Sequence, residues 1–209
     1  MPMVGAGADE DFLRALSAFA ALTGDCDARW VVGGSAGLAL RGARLASAPR
    51  DLDIYADAAA AAALHERVAG WASDVPAWDE TGRYRSLLSH YRYGGVTIEL
   101  VGDFEVQAPG SRYRTEVDAF LYAHGDDWTP YDGARPIRLM PLGHELIFNL
   151  LRERRDRALE AARLIRNEPE AHLPALQRLA ARQSLSGDIR SELRRLTAAK
   201  PEEGADDGR

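Results

Sequence analysis

Residues 30–55 constrain the fold of this chain more than any other stretch. The apolar run Trp30–Val32 leads into Gly33-Gly34-Ser35, and the apolar residues that follow at helical spacing predict a helix over 35–41. A second stretch, over 51–55, alternates acidic and apolar residues after one loop and predicts another strand. A strand, a glycine turn, a helix and a second strand so close together indicate a domain in which helices cover a β-sheet.

Two carboxylates lie on the second of these strands. Asp51 and Asp53 are two residues apart, so both point to one face of the strand, while Leu52 and Ile54 point into the core. Adjacent acids repel each other unless a cation lies between them, and Mg²⁺ prefers such hard oxygen ligands. The spacing therefore predicts a magnesium site, with solvated acids on an edge strand as the structural alternative.

The Gly33-Gly34-Ser35 turn is a candidate anion site. Free N–H groups and the helix dipole at the start of helix 35–41 favour a negative group such as a phosphate. The alternative is a plain strand-to-helix turn in which the side chain of Ser35 caps the helix. A phosphate-binding turn beside a metal-binding carboxylate pair would equip the chain for nucleotide chemistry.

A third acid follows in a predicted hairpin, whose strands over 84–93 and 96–106 flank Gly94-Gly95. In its second strand the alternation leaves Glu99 opposite the core side. If this strand lies beside 51–55, Glu99 joins the two aspartates to form the three-carboxylate cluster that nucleotidyl transfer with two metal ions requires. Asp103 and Glu105 share the facing of Glu99 and are its rivals.

The remaining elements are read more coarsely. We predict a core over residues 1–140, a C-terminal helical segment over 141–200 and a flexible acidic tail over 201–209. Residues 107–135 give no clear pattern. In the core, we predict a helix over Asp11–Leu22 and an alanine-rich helix with Asp57 as its N-cap that ends near 70–72. In the C-terminal segment, we expect breaks at Pro169, Pro174 and Ser186-Gly187, which leave three helices.

Composition and charge limit the class of protein. No apolar run reaches the roughly 18 residues of a membrane span, and the N-terminal residues lack a signal-peptide pattern, so we expect a cytoplasmic protein with no membrane partner. The only cysteine is Cys26, which excludes an internal disulfide. Residues 1–134 carry a net charge of −9 and residues 135–195 a net charge of +5.

These motifs together resemble the small bacterial members of the nucleotidyltransferase superfamily. The resemblance rests on Gly33-Gly34-Ser35, Asp51-Leu52-Asp53-Ile54 and Ile98-Glu99-Leu100, and it covers about residues 28–105. A later helix that begins near Pro141 and carries Glu145 and Arg155-Asp156 is also similar. The family includes AbiEii-like toxins of toxin–antitoxin pairs and antibiotic nucleotidyltransferases. The resemblance implies an α/β (α+β) fold with a mixed sheet flanked by helices, and a catalytic core over 1–140.

The resemblance also implies roles for single residues. Asp51, Asp53 and Glu99 would bind two Mg²⁺ ions, with Mn²⁺ as an alternative. The triphosphate would be held by the turn and by nearby arginines. The implied nucleotide-binding residues are Gly33, Gly34, Ser35, Arg50, Arg152 and Arg155. Many family members carry a lysine on the later helix, and this chain has none there, so Arg152 and Arg155 are the substitutes.

The implied reaction moves a nucleoside monophosphate from a nucleoside triphosphate to an acceptor hydroxyl. A toxin would modify RNA such as tRNA, or a protein, and would be restrained by a cognate antitoxin. The basic C-terminal part favours this reading, because helical spacing places Arg152, Arg155 and Arg163 near one face. An antibiotic nucleotidyltransferase would modify a small molecule of the aminoglycoside or lincosamide type, and the acidic core suits a cationic substrate.

Three other functions are open. The turn also looks like a dinucleotide-binding fingerprint, and Asp53 lies 20 residues after Gly33, but Val32 occupies the place of the first glycine. A glycosyltransferase could use Asp51 and Asp53 for a nucleotide sugar, which leaves the glycine turn unexplained. A non-catalytic nucleotide-binding module would keep the fold alone.

Overall fold

One mixed β-sheet organises the computed structural model, which describes residues 10–130 and 134–198. Its strands run in the order β3-β4-β5-β2-β1-β8-β7, and β6 pairs with β5 beyond this path. The strands are β1 (Trp30–Gly33), β2 (Asp51–Ala56), β3 (Ala77–Thr81), β4 (Tyr84–Tyr93), β5 (Val96–Ala108), β6 (Ser111–Arg114), β7 (Asp126–Trp128) and β8 (Ile137–Leu139).

Helices lie on both faces of this sheet. They are α1 (Glu10–Leu22), α2 (Gly34–Leu40), α3 (Ala58–Val68), α4 (Tyr122–His124), α5 (Leu142–Leu151), α6 (Arg155–Asn167), α7 (Pro169–Arg182) and α8 (Gly187–Thr197). A 3-10 turn, Ala69–Trp71, continues α3, and a π-helical turn, Val117–Leu121, precedes α4. No helix in the two described ranges is long and apolar enough to cross a membrane.

Alternation along the central strands separates two apolar cores. Leu52 and Ile54 of β2 pack in one core with α1 and α3. Tyr55 of β2, on the opposite face, packs in the other core with α5 to α8. Asp51 and Asp53 share the face of Tyr55 but lie nearer the start of β2, so the carboxylates stand at the edge of the second core rather than inside it.

The pairing of β1 and β2 excludes the dinucleotide-binding interpretation. In that fold a helix crosses over between two parallel strands. Here β1 and β2 are antiparallel, with Gly33 opposite Asp53, and β2 is instead parallel to β5. The glycine turn therefore faces the carboxylate strand directly.

Much of the predicted secondary structure is confirmed. The helix from Asp11, the strands around the glycine turn and the Gly94-Gly95 hairpin all form, the last as β4 and β5 in antiparallel pairing. Asp57 is the N-cap residue of α3, but its side chain accepts hydrogen bonds from the N–H groups of Val117 and Asp118 instead of from its own helix. The predicted tail over 201–209 lies outside the described residues.

Two expectations about helix ends are wrong. Ser35 is not an N-cap, because α2 begins at Gly34 and Gly33 takes the cap position. Pro174 does not break a helix, since α7 runs through it, and the additional break falls instead at residues 152–154 between α5 and α6. The C-terminal segment therefore contains α5 to α8 rather than three helices.

The break between α5 and α6 depends on a backbone conformation that most residues avoid. Glu153 has φ +59°, and its carboxylate forms an exposed ion pair with Arg83 at 2.9 Å. Such a left-handed φ costs a residue with a Cβ atom about 1–2 kcal/mol, whereas glycine adopts it freely.

We therefore expect Glu153→Gly to be more stable than Glu153→Ala by about 1 kcal/mol, measured as the free energy of unfolding in urea. The alanine variant is the matched control, because both substitutions lose the ion pair with Arg83 and only alanine retains the strain. Equal stability of the two variants would contradict a strained turn at this position.

Candidate active site

Three carboxylates meet on one face of the sheet. Because β2 and β5 are parallel, with Asp53 opposite Glu99 and Asp51 opposite Thr97, the predicted juxtaposition of Glu99 with the two aspartates is confirmed. All three acids are half-buried. The strand register alone thus brings together residues that lie more than 40 positions apart in the sequence.

Burial and repulsion shift two acids of this cluster, Asp53 and Glu99, toward their neutral forms. Burial, followed by the charges of Asp51, Glu99 and Glu145, raises the pKa of Asp53 well above its usual value. Burial and the charge of Asp51 raise the pKa of Glu99. A cluster with this excess of negative charge favours the binding of a cation.

The donor set fits a hard divalent ion such as Mg²⁺, which prefers carboxylate oxygens. In the described ranges no three His, Cys, Asp or Glu side chains are already gathered around one point. Like charges keep apart when no cation separates them, so an ion at this site would have to draw Asp51, Asp53 and Glu99 together.

Glu99 also faces a histidine that sequence analysis did not single out. His90 lies opposite Glu99 on β4, and its Nε2 is 3.9 Å from Oε1 of Glu99. Its Nδ1 and its backbone N–H both contact the carboxylate of Asp74, at 2.6 and 2.7 Å. Alternation along β4 could have placed His90 on this face, but its pairing with Glu99 required the register.

The rivals of Glu99 are engaged elsewhere. Asp103 accepts hydrogen bonds from the N–H of Ala58 and from Arg114. Glu105 is buried in a two-pronged ion pair with Arg112, at 2.8 Å for each oxygen. Neither acid lines the cavity that contains Asp51, Asp53 and Glu99.

The glycine turn lies directly beneath Asp53. Gly34 has φ +62°, and a Cβ atom there would lie 1.9 Å from Oδ2 of Asp53. A Cβ at Gly33 would lie 2.9 Å from the ring of Tyr55. Any side chain at Gly34 would displace the carboxylate, so Gly34 serves the close approach of Asp53 as well as the turn, and Gly33 makes room for the ring of Tyr55.

The N–H of Gly34 is not free, contrary to its predicted role in phosphate binding. It donates a 2.8 Å hydrogen bond to Oε1 of Glu145 on α5. Glu145 is buried, and burial raises its pKa from 4.5 to about 7, against the opposing effect of the Gly34 hydrogen bond and of Arg41 and Arg157. Ser35, the next residue of the turn, does line the cavity.

The carboxylates open into a polar cavity of about 500 Å³. Its lining combines the start of β2, the loop before it and the break between α5 and α6. The lining residues are Ser35, Ser47, Ala48, Arg50, Asp51, Asp53, Glu99, Arg152, Arg154, Asp156 and Arg157. Arginine and carboxylate groups thus face a single space.

Arg152 is fixed by aromatic rings. Its guanidinium lies 5.6 Å from the ring centre of Tyr84 and 5.0 Å from that of Phe148, and its Nε is buried without a hydrogen-bond partner among the described residues. Its charge lowers the pKa of both Asp53 and Glu99, opposing the larger effects of burial and repulsion. A positive group therefore lies beside the carboxylates, at a residue that the sequence named as a candidate for contacting phosphate.

Arg155 does not line the cavity. Its guanidinium pairs with Glu192 at 3.1 Å, because α6 begins at Arg155 and turns this side chain toward α8. Arg154 and Arg157 line the cavity in its place, and within the described residues their guanidinium groups, like that of Arg50, have no ion-pair or hydrogen-bond partner.

The predicted basic face of Arg152, Arg155 and Arg163 does not form. Arg152 caps the end of α5, while the other two arginines belong to α6, so helical spacing does not relate them. Arg163 pairs with Glu160 at 2.9 Å. The sequence predicts one continuous helix through residues 152–163, and the break between α5 and α6 interrupts it.

Known protein structures share the fold of this chain, although no protein family or curated protein matches its sequence. Neither the models of known protein families nor the curated proteins include a match to this chain. Among solved structures, it is similar to a "putative nucleotidyltransferase" from Thermotoga maritima, with 20% sequence identity and a TM-score of 0.57 over 70% of this chain and 88% of that chain. This likeness shows the fold, and it confirms the nucleotidyltransferase-like fold class expected from the sequence.

The chain is also similar to ANT(2'')-Ia in complex with adenylyl-2''-tobramycin, with 11% identity and a TM-score of 0.47 over 81% of this chain and 97% of that chain. A solution structure of ANT(2'')-Ia matches at 12% identity and a TM-score of 0.45, over 81% and 91% of the two chains.

The raised pKa of Glu145 makes stability depend on pH. Between pH 4.5 and about 7 the folded chain retains a proton that the unfolded chain has lost, so the free energy of unfolding falls as the pH rises through this window. Glu145→Gln has no such proton. We therefore expect the variant to gain stability relative to the natural chain by up to about 3 kcal/mol between pH 4.5 and pH 8.

Urea denaturation of both proteins across this pH range measures the difference, in which the other titrating groups largely cancel. A difference that does not change with pH would contradict the raised pKa of Glu145.

Proposed function

We propose that this chain is a Mg²⁺-dependent nucleotidyltransferase that moves a nucleoside monophosphate from a nucleoside triphosphate to an acceptor hydroxyl. The observation that carries the proposal is the single cavity that joins Asp51, Asp53 and Glu99 to four arginines. Acids hold metal ions and arginines hold phosphate oxygens, and a metal-bound polyphosphate needs both on opposite sides of one space. The fold shared with the Thermotoga protein supports the same class of reaction.

The carboxylate side of the cavity is the metal site in this proposal. Asp51, Asp53 and Glu99 would hold two Mg²⁺ ions, with Mn²⁺ as an alternative. Bound ions would offset the negative charge on the attacking and leaving oxygens. In this proposal Glu99, whose Oε1 lies 3.9 Å from Nε2 of His90, would also accept the proton of the acceptor hydroxyl.

The arginine side holds the triphosphate. Arg50, Arg154 and Arg157 have guanidinium groups ready to form paired hydrogen bonds with phosphate oxygens, and Arg152 is already ordered by Tyr84 and Phe148. This assignment keeps Arg50 and Arg152 from the sequence analysis and replaces Arg155 with Arg154 and Arg157. Ser35 remains the member of the glycine turn that faces the phosphates.

The arrangement of α6 favours a small-molecule acceptor over RNA. Arg155 and Arg163, which would have formed the RNA-binding face, are neutralised by Glu192 and Glu160. Arg154 and Arg157, which have no ion-pair partner among the described residues, line the cavity, where the triphosphate would use them. An acceptor of the aminoglycoside type, hydroxylated and cationic, therefore fits better than tRNA, and a toxin role with a cognate antitoxin becomes the second candidate.

The metal site predicts which substitutions stop the reaction. We expect Asp53→Asn and Glu99→Gln to lower transfer from labelled triphosphate by at least about a hundredfold, because each removes one carboxylate ligand. Asp53→Asn should also raise the melting temperature without Mg²⁺, since it removes a half-buried charge that Asp51 and Glu99 repel.

Asp103→Asn is the matched control, because it makes the same kind of change as Asp53→Asn, on the strand that carries Glu99 but outside the cavity. Its activity should remain within about threefold of the natural chain. Full transfer activity in Asp53→Asn would rule out the proposed metal site. Failure of the natural chain to bind any Mg²⁺–nucleotide would favour a non-catalytic module.

The acceptor is tested by comparing two classes of substrate, RNA and small molecules. Purified protein is incubated with each of four labelled triphosphates and either total tRNA or a panel of aminoglycosides and lincosamides, and the products are separated by size. We expect labelled small molecules and unlabelled tRNA. Labelled tRNA with an unlabelled panel would reverse the order of the two candidates and restore the toxin interpretation.

A further inference from the structure

We propose that Glu145 is a positioning residue, whose hydrogen bond to the N–H of Gly34 holds the glycine turn against the carboxylate of Asp53. The kinetic part of this inference rests on the proposed function, whereas the structural part does not. No sequence motif assigned this role to Glu145, since the sequence analysis gave the N–H of Gly34 to a phosphate.

A continuous set of contacts runs from α5 to the carboxylate cluster. Asn149 donates to the backbone oxygen of Glu145 at 2.8 Å and lies 3.2 Å from its Oε2. Oε1 of Glu145 accepts from Gly34 at 2.8 Å. The Cα of Gly34 in turn lies so close to Asp53 that a Cβ there would be 1.9 Å from Oδ2. A shift of Gly34 would therefore either clash with the carboxylate of Asp53 or remove the contact that restrains it.

Packing alone does not explain a carboxylate at this position. Glu145 is 1% exposed, and its neighbours on α5 include the fully buried Leu146 and Ile147. A buried carboxylate loses its hydration, and an apolar residue of similar volume would avoid that cost. The raised pKa of Glu145, about 7, reflects the same cost. The carboxylate instead supplies an acceptor for the N–H of the half-buried Gly34, which has no acceptor within its own helix because α2 begins there.

The same hydrogen bond joins the two halves of the cavity. Glu145 lies on α5, whose C-terminal end carries Arg152 and leads into Arg154 and Arg157. Gly34 begins α2 directly after β1, and the last residue of β1, Gly33, lies opposite Asp53 on β2. The distance between the arginines and the carboxylates is therefore set in part by one contact between α5 and the glycine turn.

The first test needs neither nucleotide nor metal. Amide hydrogen exchange of ¹⁵N-labelled protein is followed by NMR for the natural chain, Glu145→Gln and Glu145→Leu. We expect the amide of Gly34 to be protected in the natural chain and in Glu145→Gln, which retains an oxygen acceptor, and to exchange at least about tenfold faster in Glu145→Leu. Rapid exchange of this amide in the natural chain would overturn the inference without any variant.

The second test separates positioning from stability. We expect kcat of Glu145→Leu to fall about tenfold or more per folded molecule, because a small displacement of a catalytic group is costly, and Glu145→Gln to remain within about threefold of the natural chain. Mn²⁺ binding, measured by calorimetry, should likewise be weaker in Glu145→Leu than in Glu145→Gln and the natural chain.

Tyr113→Phe is the control for a purely structural loss. It removes the hydroxyl that lies 2.6 Å from Nδ1 of His144, a buried neighbour of Glu145 on α5, and it does not touch the turn. Its melting temperature should fall while kcat and Mn²⁺ binding stay unchanged.

Unchanged kcat, Mn²⁺ binding and Gly34 exchange in a folded Glu145→Leu would overturn the positioning role. Gly34 protection that depends on Glu145 in a protein without transferase activity would instead refute the proposed function alone.

Discussion

The close approach of the Asp53 carboxylate to the backbone of Gly34 is the contact on which the rest of the site depends. It requires a residue without a side chain at Gly34, an antiparallel partner that presents Asp53 to the turn, and a group that holds the turn in place. The parallel pairing of β2 with β5 then adds Glu99 to the same row. Together these requirements concentrate negative charge at the start of β2.

Sequence patterns predicted the parts of this arrangement that depend on local periodicity. Alternation placed Asp51, Asp53 and Glu99 on the faces of their strands opposite the apolar side chains. Gly94-Gly95 identified the hairpin that carries Glu99. The pattern could not choose among Glu99, Asp103 and Glu105, because all three alternate alike. Only the register of β5 against β2, and the partners Arg114 and Arg112, separated them.

The errors arose where distant contacts override local signals. Glu145 was noted only as part of a later helix similar to that of the family, and nothing near it in sequence shows that its partner is Gly34. The turn at Glu153 contains neither glycine nor proline, so the break that redirects Arg155 away from the cavity left no local mark. Pro174, which carries the usual mark of a break, is accommodated within α7.

The hydrogen bond between Gly34 and Glu145 spans 111 positions of the chain, and β1 pairs with β8, more than 100 positions later. Contacts between such distant segments carry a high entropic cost of loop closure and slow the folding of the regions that depend on them. The glycine turn and the first strands can form early from the N-terminal half. The geometry of the site, however, is completed only when α5 docks, because α5 carries Glu145 and ends beside Arg152. Since synthesis runs from the N-terminus, the C-terminal helices are the last part of the site to be supplied.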